Sequence, residues 1–256
     1  MSANESNKLI TNGLLDYFDI ANVMSNNGLN KEISLSNEKI NSLSRPYKPS
    51  VPMAMSSPMT ISLPSSGFVN LINGTTFSEQ NKGVMNLDGM NDSVRLNISV
   101  TLSHLTYSIW YKPSSTDNHF RSLGQTGAWS TTEFACFSIG NHPSHPHQLS
   151  LRTKSSNGVT NTRLPGEINP KYYDTWHNAT FVIEPSKQSI YYNGQLCKST
   201  TRTNNSDITI TRLAIGNSMG YGFFGGEIGP AAIYNRALSD VEIKHNYNVL
   251  KSRFKS

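Results

Sequence analysis

The sequence predicts an all-β fold, two antiparallel sheets packed as a sandwich or jelly roll, with an irregular N-terminal arm and a short C-terminal helix. Three observations carry that prediction. From residue 68 onward, short apolar or alternating runs recur, separated by Gly, Pro, Asn and Asp turns. Asn193-Gly194 joins two of these runs, and both residues tolerate the positive φ that a two-residue type I′ hairpin turn demands. No helical spacing lies between two strand-like runs, as crossovers joining parallel strands would need, so the pairing should be antiparallel.

Residues 1–67 read as a lead-in strand followed by an extended arm. The strand is the apolar patch Leu14–Ile20. Residues 46–67 carry Pro, Ser and methionines 53, 55 and 59 in a density that blocks both helix and central strand. The sandwich is expected over residues 68–256. Its strand runs are Phe68–Leu71, Gly83–Leu87, Val94–Val100, Tyr107–Tyr111, Phe134–Ile139, Gln148–Arg152, Ala179–Ile183, Ser189–Tyr192, Ile208–Ile215 and Ile228–Tyr234. Tyr107, Ile109 and Tyr111 alternate with Ser108, Trp110 and Lys112, and Ala179, Phe181 and Ile183 form a second apolar row; these should face the core. Trp176, at a strand entry, should fill or cover the core edge. Pro230 lacks an amide hydrogen, so its run must contain a bulge or an edge. Ser239-Asp240-Val241-Glu242 is a capping box opening the helix, whose apolar face is expected from Val241, Ile243, Tyr247 and Leu250.

Composition narrows the function classes. Apolar residues make up 36% of the 256-residue chain and charged ones 15%, which supports a folded sheet core and argues against a disordered chain. The formal charge of +5 comes from 22 basic and 17 acidic residues scattered along the chain. Nucleic-acid binding would gather the basic residues on one stripe, so it is not expected; a mild attraction to an anionic partner is. No secretory signal and no membrane-spanning run is visible. The sequons at Asn73, Asn97 and Asn178 read as chance in an Asn- and Ser-rich chain. Cys136 and Cys197 fit no metal or redox spacing and read as small buried hydrophobes, with a single disulfide as the alternative.

Several segments, in order, resemble the LamG-like (concanavalin A-like, laminin-G-type) jelly rolls. They are Leu87-Asp88-Gly89-Met90-Asn91-Asp92-Ser93-Val94, Tyr107–Pro113, the hairpin from Asp174 to Leu196, and the terminal run Leu213–Asn217, Gly222–Gly229 and Ile233–Ser239. Residues 12–22 and 71–78 further resemble the lead-in of such domains in bacteriophage virion proteins, although the usual Gly-rich linker is replaced here by the Pro/Met/Ser stretch. The resemblance implies a non-enzymatic virion component, either a capsid decoration protein or part of a tail fibre, built into a larger assembly with other virion proteins and contacting a cell-surface glycan. A free carbohydrate-binding lectin module is the alternative, and a glycanase the third reading.

The resemblance also implies a calcium site, through an acidic residue in the early turn and another in the terminal strand. Asp88 matches the first, whereas Gly229 stands where an Asp is frequent, leaving Asn91, Asp92 and Glu227 as further oxygen donors. Glycan contact would use Trp110, Trp129, Tyr221 and Phe223 as stacking platforms. Catalysis is not expected: the acids Glu133, Glu167, Glu184 and Glu227 are isolated in sequence, with no paired strand carboxylates of the kind a glycosidase needs. No nucleophile elbow or phosphate-binding loop is present. His142, His145 and His147 sit among prolines that hold them extended, and they read as an exposed loop rather than a metal site.

Overall fold

The computed structural model describes residues 9–10, 12–18, 69–73, 75–78, 83–96, 98–114, 121–127, 133–140, 148–164, 173–217 and 222–254. Within them run β1 (Leu14–Phe18), β2 (Val69–Ile72), β3 (Thr76–Ser78), β4 (Val84–Asp88), β5 (Ser93–Leu96), β6 (Val100–Leu102), β7 (Leu105–Pro113), β8 (Arg121–Gln125) and β9 (Phe134–Ile139). There follow β10 (Leu149–Ser155), β11 (Gly158–Arg163), β12 (His177–Ile183), β13 (Lys187–Tyr192), β14 (Gln195–Thr201), β15 (Ile208–Ile210), β16 (Leu213–Ile215) and β17 (Gly225–Tyr234). Helix α1 (Asp240–Lys251) and a 3-10 turn (Ser252–Phe254) close the chain. One antiparallel sheet has the order β14-β13-β12-β7-β17-β4-β3, with β1 also on β17. The second has the order β11-β10-β9-β8-β16-β5-β2, and β15 pairs with β6 as a separate ribbon.

The core lies between the two large sheets. Leu105, Tyr107, Ile109 and Tyr111 from β7 and Ala179, Phe181 and Ile183 from β12 meet Leu123, Phe137, Leu149, Leu151 and Ile215 of the facing sheet in one buried cluster. These are the two rows the alternation predicts. Tyr107 spans the layers: its ring centroid is 4.6 Å from that of Phe137, and its hydroxyl donates to the Leu123 carbonyl at 3.0 Å. A β-carbon on Gly124 would stand 3.0 Å from the Tyr107 ring, so the glycine admits the ring where β8 bulges against β9.

A polar network fastens one end of the sandwich. The Gln188 amide nitrogen donates to the Leu151 carbonyl at 3.1 Å and to Thr162 at 2.9 Å, while its oxygen accepts from Thr153 at 2.7 Å. Arg202, buried beside it, donates to Asn204 Oδ1 and to the carbonyls of Glu184 and Ser206. Gln188 on the first sheet thus bonds directly to β10 and β11 on the second.

A third layer covers the outer face of the first sheet. Trp110 and Val84 pack with Phe254, and Val182, Tyr191, Ala232 and Tyr234 pack with Leu238 and Ile243. The predicted lead-in strand joins this face, with Leu14 opposite Tyr234 and Phe18 opposite Ala231. β17 therefore pairs with β4 along Gly225–Ile228 and with β1 from Ala231 onward, and its register with β7 slips between Ile228 and Ala231. Pro230 occupies that break, as its missing amide requires. Ser239 caps α1 as predicted, accepting from the Glu242 amide.

The structure corrects some local expectations. The run Ile208–Ile215 divides between the ribbon and the second sheet, and the run from Val94 to Val100 divides likewise. Val241 is 78% exposed, so the buried face of α1 starts at Ile243. Trp176 joins the outer cluster with Phe254, not the main core. Cys136 is buried and Cys197 exposed on β14, and they remain separate thiols. Asn178 is 2% exposed, which closes that sequon to modification. Residues 19–68, which carry most of the expected arm, lie outside the described residues.

Candidate functional site

The second sheet turns polar on its outward side. Leu149 and Leu151 of β10 enter the core, so Ser150, Arg152 and Lys154 face away from it. The registers align these residues with their neighbours. One transverse row reads Ser122, Ser138, Ser150 and Arg163; the next reads Arg95, Ala214, Gln125, Cys136, Arg152 and Asn161; a third reads Phe134, Lys154 and Val159. At about 4.8 Å per strand, the middle row spans roughly 24 Å.

Small side chains form the floor of this face. Ser138 and Ser150 share a hydrogen bond of 2.7 Å, and Gln125 donates to the Gly127 carbonyl. The Lys154 ammonium lies 5.8 Å from the Phe134 ring centroid. Ser93 Oγ, Arg95 Nε and Ser122 Oγ are buried and have no hydrogen-bond partner among the described residues. The middle of this face is itself buried: Ser93, Ser122, Gln125, Phe134, Cys136, Ser138, Ser150 and Ala214 are each 3% exposed or less. The outward side chains of β10 and β11 that reach solvent are Arg152 and Lys154, half-buried, and Val159, Asn161 and Arg163, exposed.

The predicted platforms scatter around the molecule. Trp110 is on the opposite sheet, 3% exposed, with its ring stacked on Tyr247 and on Phe254 at centroid separations of 5.5 and 4.6 Å. It serves the third layer and offers no open ring face. Phe223 is half-buried beside the polar face, in the segment where the Gly222 carbonyl accepts from the Ser122 amide at 2.8 Å. Trp129, between β8 and β9 in sequence, and Tyr221, between β16 and β17, lie outside the described residues, as do His142, His145 and His147.

The calcium expectation meets side chains already committed elsewhere. Asp88 Oδ1 accepts from the amides of Met90 and Asn91 at 2.8 and 3.2 Å, and Asp92, 2% exposed, accepts from the Asp88 amide at 3.0 Å. Burial pushes the Asp88 carboxyl upward, but the surrounding backbone amides outweigh it and hold the group below its ordinary range. Glu227 forms an ion pair with Lys112. A β-carbon on Gly229 would stand 2.9 Å from Phe254 Cζ, so a ring covers the place where the second acidic ligand is frequent. Among the described residues no three His, Cys, Asp or Glu side chains converge, and this set does not fit a calcium ion.

Four further acids are likewise engaged. Glu133 accepts from Thr209 at 2.7 Å, Glu184 pairs with Lys187 at 3.0 Å, Asp240 accepts from the Tyr191 hydroxyl at 2.7 Å, and Glu242 pairs with Arg236. The polar rows are not among the expectations from sequence, which rest on aromatic rings. Their signal is the polar half of the alternation in Leu149-Ser150-Leu151-Arg152-Thr153-Lys154.

A model of the concanavalin A-like lectin/glucanases superfamily matches residues 88–244, more than half of the chain. Comparison with curated proteins found no match. Among solved structures, the binding domain of botulinum neurotoxin serotype G superposes with a TM-score of 0.60 at 16% identity, over 75% of this chain and 48% of that one. Domain 4 of AbnA, a GH43 extracellular arabinanase from Geobacillus stearothermophilus solved with arabinotriose, gives 0.56 at 19% identity, over 72% and 88%. The ligand-binding domain of botulinum neurotoxin serotype D, solved with N-acetylneuraminic acid, gives 0.56 at 13% identity, over 72% and 46%. The chain thus spans about half the length of the neurotoxin domains it resembles, and at these identities the likeness is one of fold.

Proposed function

The chain belongs to the concanavalin A-like lectin/glucanases superfamily, and we propose that it is a non-enzymatic virion structural component, a capsid decoration or tail-fibre protein, that contacts surface glycans through the open β10–β11 end of its second sheet. The observation that carries the glycan reading is the open end of that face, where the exposed Asn161 and Arg163 of β11 stand beside the half-buried Arg152 and Lys154 of β10. Sugar hydroxyls both donate and accept, so they suit the Asn161 amide beside guanidinium and ammonium groups. Two of the similar folds hold a sugar, arabinotriose in one and N-acetylneuraminic acid in the other, which supports the reading by analogy of fold.

The non-enzymatic part rests on the acids. Glycoside hydrolysis uses two carboxylates about 5–10 Å apart across the sugar. The seven strands β2, β5, β8, β9, β10, β11 and β16 contain neither Asp nor Glu. The virion part rests on the sequence likeness of residues 12–22 and 71–78.

Two measurements test the parts separately. Glycan-array binding by the purified chain should be detectable and should fall at least five-fold in Asn161→Ala, an exposed position, with the thermal midpoint reported alongside; no binding to any glycan would overturn the recognition role. Mass spectrometry of purified virions should recover the chain in stoichiometric amount. Its absence there, with glycan binding intact, would make it a free lectin module.

A further inference from the structure

We propose that the groove between β17 and α1 is a strand-accepting surface, and that it receives residues 9–18 of a second copy, so that neighbouring copies exchange β1; this rests on the reading of the chain as a component of a larger assembly. β17 pairs with β4 along Gly225–Ile228. From Ala231 to Tyr234 that edge of β17 would stand open without β1, which closes it in antiparallel register from Leu14 opposite Tyr234 to Phe18 opposite Ala231. β1 lies off the main strand order of its sheet, as an addition to β17.

The groove holds an extended segment by its main chain. The Ile10 amide donates to Asn246 Oδ1 at 2.8 Å, and the Ile10 carbonyl accepts from the Tyr234 hydroxyl at 3.0 Å. Asn246 Nδ2 donates in turn to the Tyr234 hydroxyl oxygen at 3.0 Å, which fixes both partners of Ile10. The Asn12 carbonyl accepts from Arg236 Nε at 2.8 Å, and the Gly13 carbonyl accepts from the Asn235 amide at 2.8 Å. Gly13, with φ of 74°, lies so close that a β-carbon on it would stand 2.7 Å from Asn235 Oδ1. Leu9, Ile10 and Leu14 add an aliphatic contact with the outer cluster around Tyr234 and Ile243. The ladder and these bonds all end on residues 231–246. The family match, residues 88–244, takes in β17 and the start of α1 but not the segment seated on them.

The length of the connection selects a second copy as the donor. Residues 19–68 separate β1 from β2. Fifty residues can span at most roughly 170 Å, against a radius of gyration of roughly 18 Å for a domain of this length. The effective concentration of a linked segment falls as its connection lengthens. The contacts in the groove are the same whichever copy supplies the segment, so exchange changes no bond there. The local concentration of copies then decides, and packing them side by side favours exchange.

The test cross-links the full chain in a background of Cys136→Ser with Cys197→Ser. Tyr17 and Ala232 are register partners, so Tyr17→Cys and Ala232→Cys place two thiols within disulfide reach when the segment is seated. The two substitutions are put in separate chains, which are mixed in equal amounts and oxidised. Exchange predicts a disulfide-linked heterodimer, its fraction rising at least five-fold over a hundred-fold rise in concentration. Light scattering on the unsubstituted chain checks the same point without any variant: its mean mass should climb from monomer toward dimer over that range. No heterodimer at the highest concentration, or a mass that stays monomeric throughout, would overturn exchange. If virions contain the chain, that failure leaves the assembly reading standing. A linked heterodimer from a chain absent from virions would instead overturn the virion role and leave exchange standing.

Discussion

Phe254 closes over Gly229: a β-carbon on that glycine would meet its ring carbons at 2.9 and 3.2 Å, and the Trp110 β-carbon at 3.2 Å. The 3-10 turn after α1 therefore seals the terminal strand with an aromatic ring. Gly229→Asp should destabilise the domain by about 1–3 kcal/mol through overpacking, and thermal melting should show no gain from added calcium. Phe254→Ala in the same chain should remove much of the Gly229→Asp penalty. A calcium-stabilised Gly229→Asp variant would show that the ring yields and that the acidic position is open.

The hairpin turn is also tied to the helix. Asn193 and Gly194 have φ of 49° and 77°, the type I′ signature, and a β-carbon on Gly194 would stand 2.9 Å from Tyr247 Cβ. Gly194→Val should cost roughly 1–3 kcal/mol from backbone strain alone, with steric conflict added. Urea titration of the single variant and of its combination with Tyr247→Ala separates the two effects, because only the steric part is relieved in the pair. An unchanged midpoint for Gly194→Val would contradict the turn geometry.

At the other end of the helix cap, both guanidinium arms of Arg236 bind the Glu242 carboxylate, at 2.9 and 2.6 Å. That pairing, against a weaker opposing effect of burial and with help from the Ser239 amide and hydroxyl, holds the Glu242 carboxyl at about 2. A carboxyl depressed in the folded state stabilises above its ordinary value near 4.5, and that contribution disappears as pH falls through about 2. The melting temperature should accordingly fall between pH 4.5 and 2, and Glu242→Gln should flatten that part of the curve. Parallel pH profiles for the two proteins would contradict the linkage.

Gln188 joins the sheets through buried hydrogen bonds to Thr153, Thr162 and the Leu151 carbonyl. Gln188→Leu would leave those groups unsatisfied and should destabilise by about 2–4 kcal/mol. Equilibrium unfolding that differs from wild type by less than about 1 kcal/mol would mean that water replaces the amide without cost.

Much of this fold is legible in local chemistry. The Asn193-Gly194 turn, the Ser239–Glu242 box, the break at Pro230 and the inward rows of β7 and β12 each depend on residues close in sequence. What is not legible depends on distant pairing. Trp110 reads as a sugar platform because nothing near it in sequence shows that Tyr247 and Phe254 will stack on it. The split of Ile208–Ile215 between ribbon and sheet is set by the partners Leu102 and Leu96, more than a hundred residues upstream. The polar rows of the second sheet are hidden for the same reason: Arg95, Gln125 and Arg152 lie far apart in the chain, and only the strand order puts them in one row.

Hydrogen exchange, read by mass spectrometry with and without the glycan that binds best on the array, tests the central claim most directly. Exchange rates should slow in β10 and β11 and stay unchanged in β17 and α1. Protection confined to the turn Asp88–Asp92, or to the α1 face around Trp110, with β10 and β11 unaffected, would contradict the account.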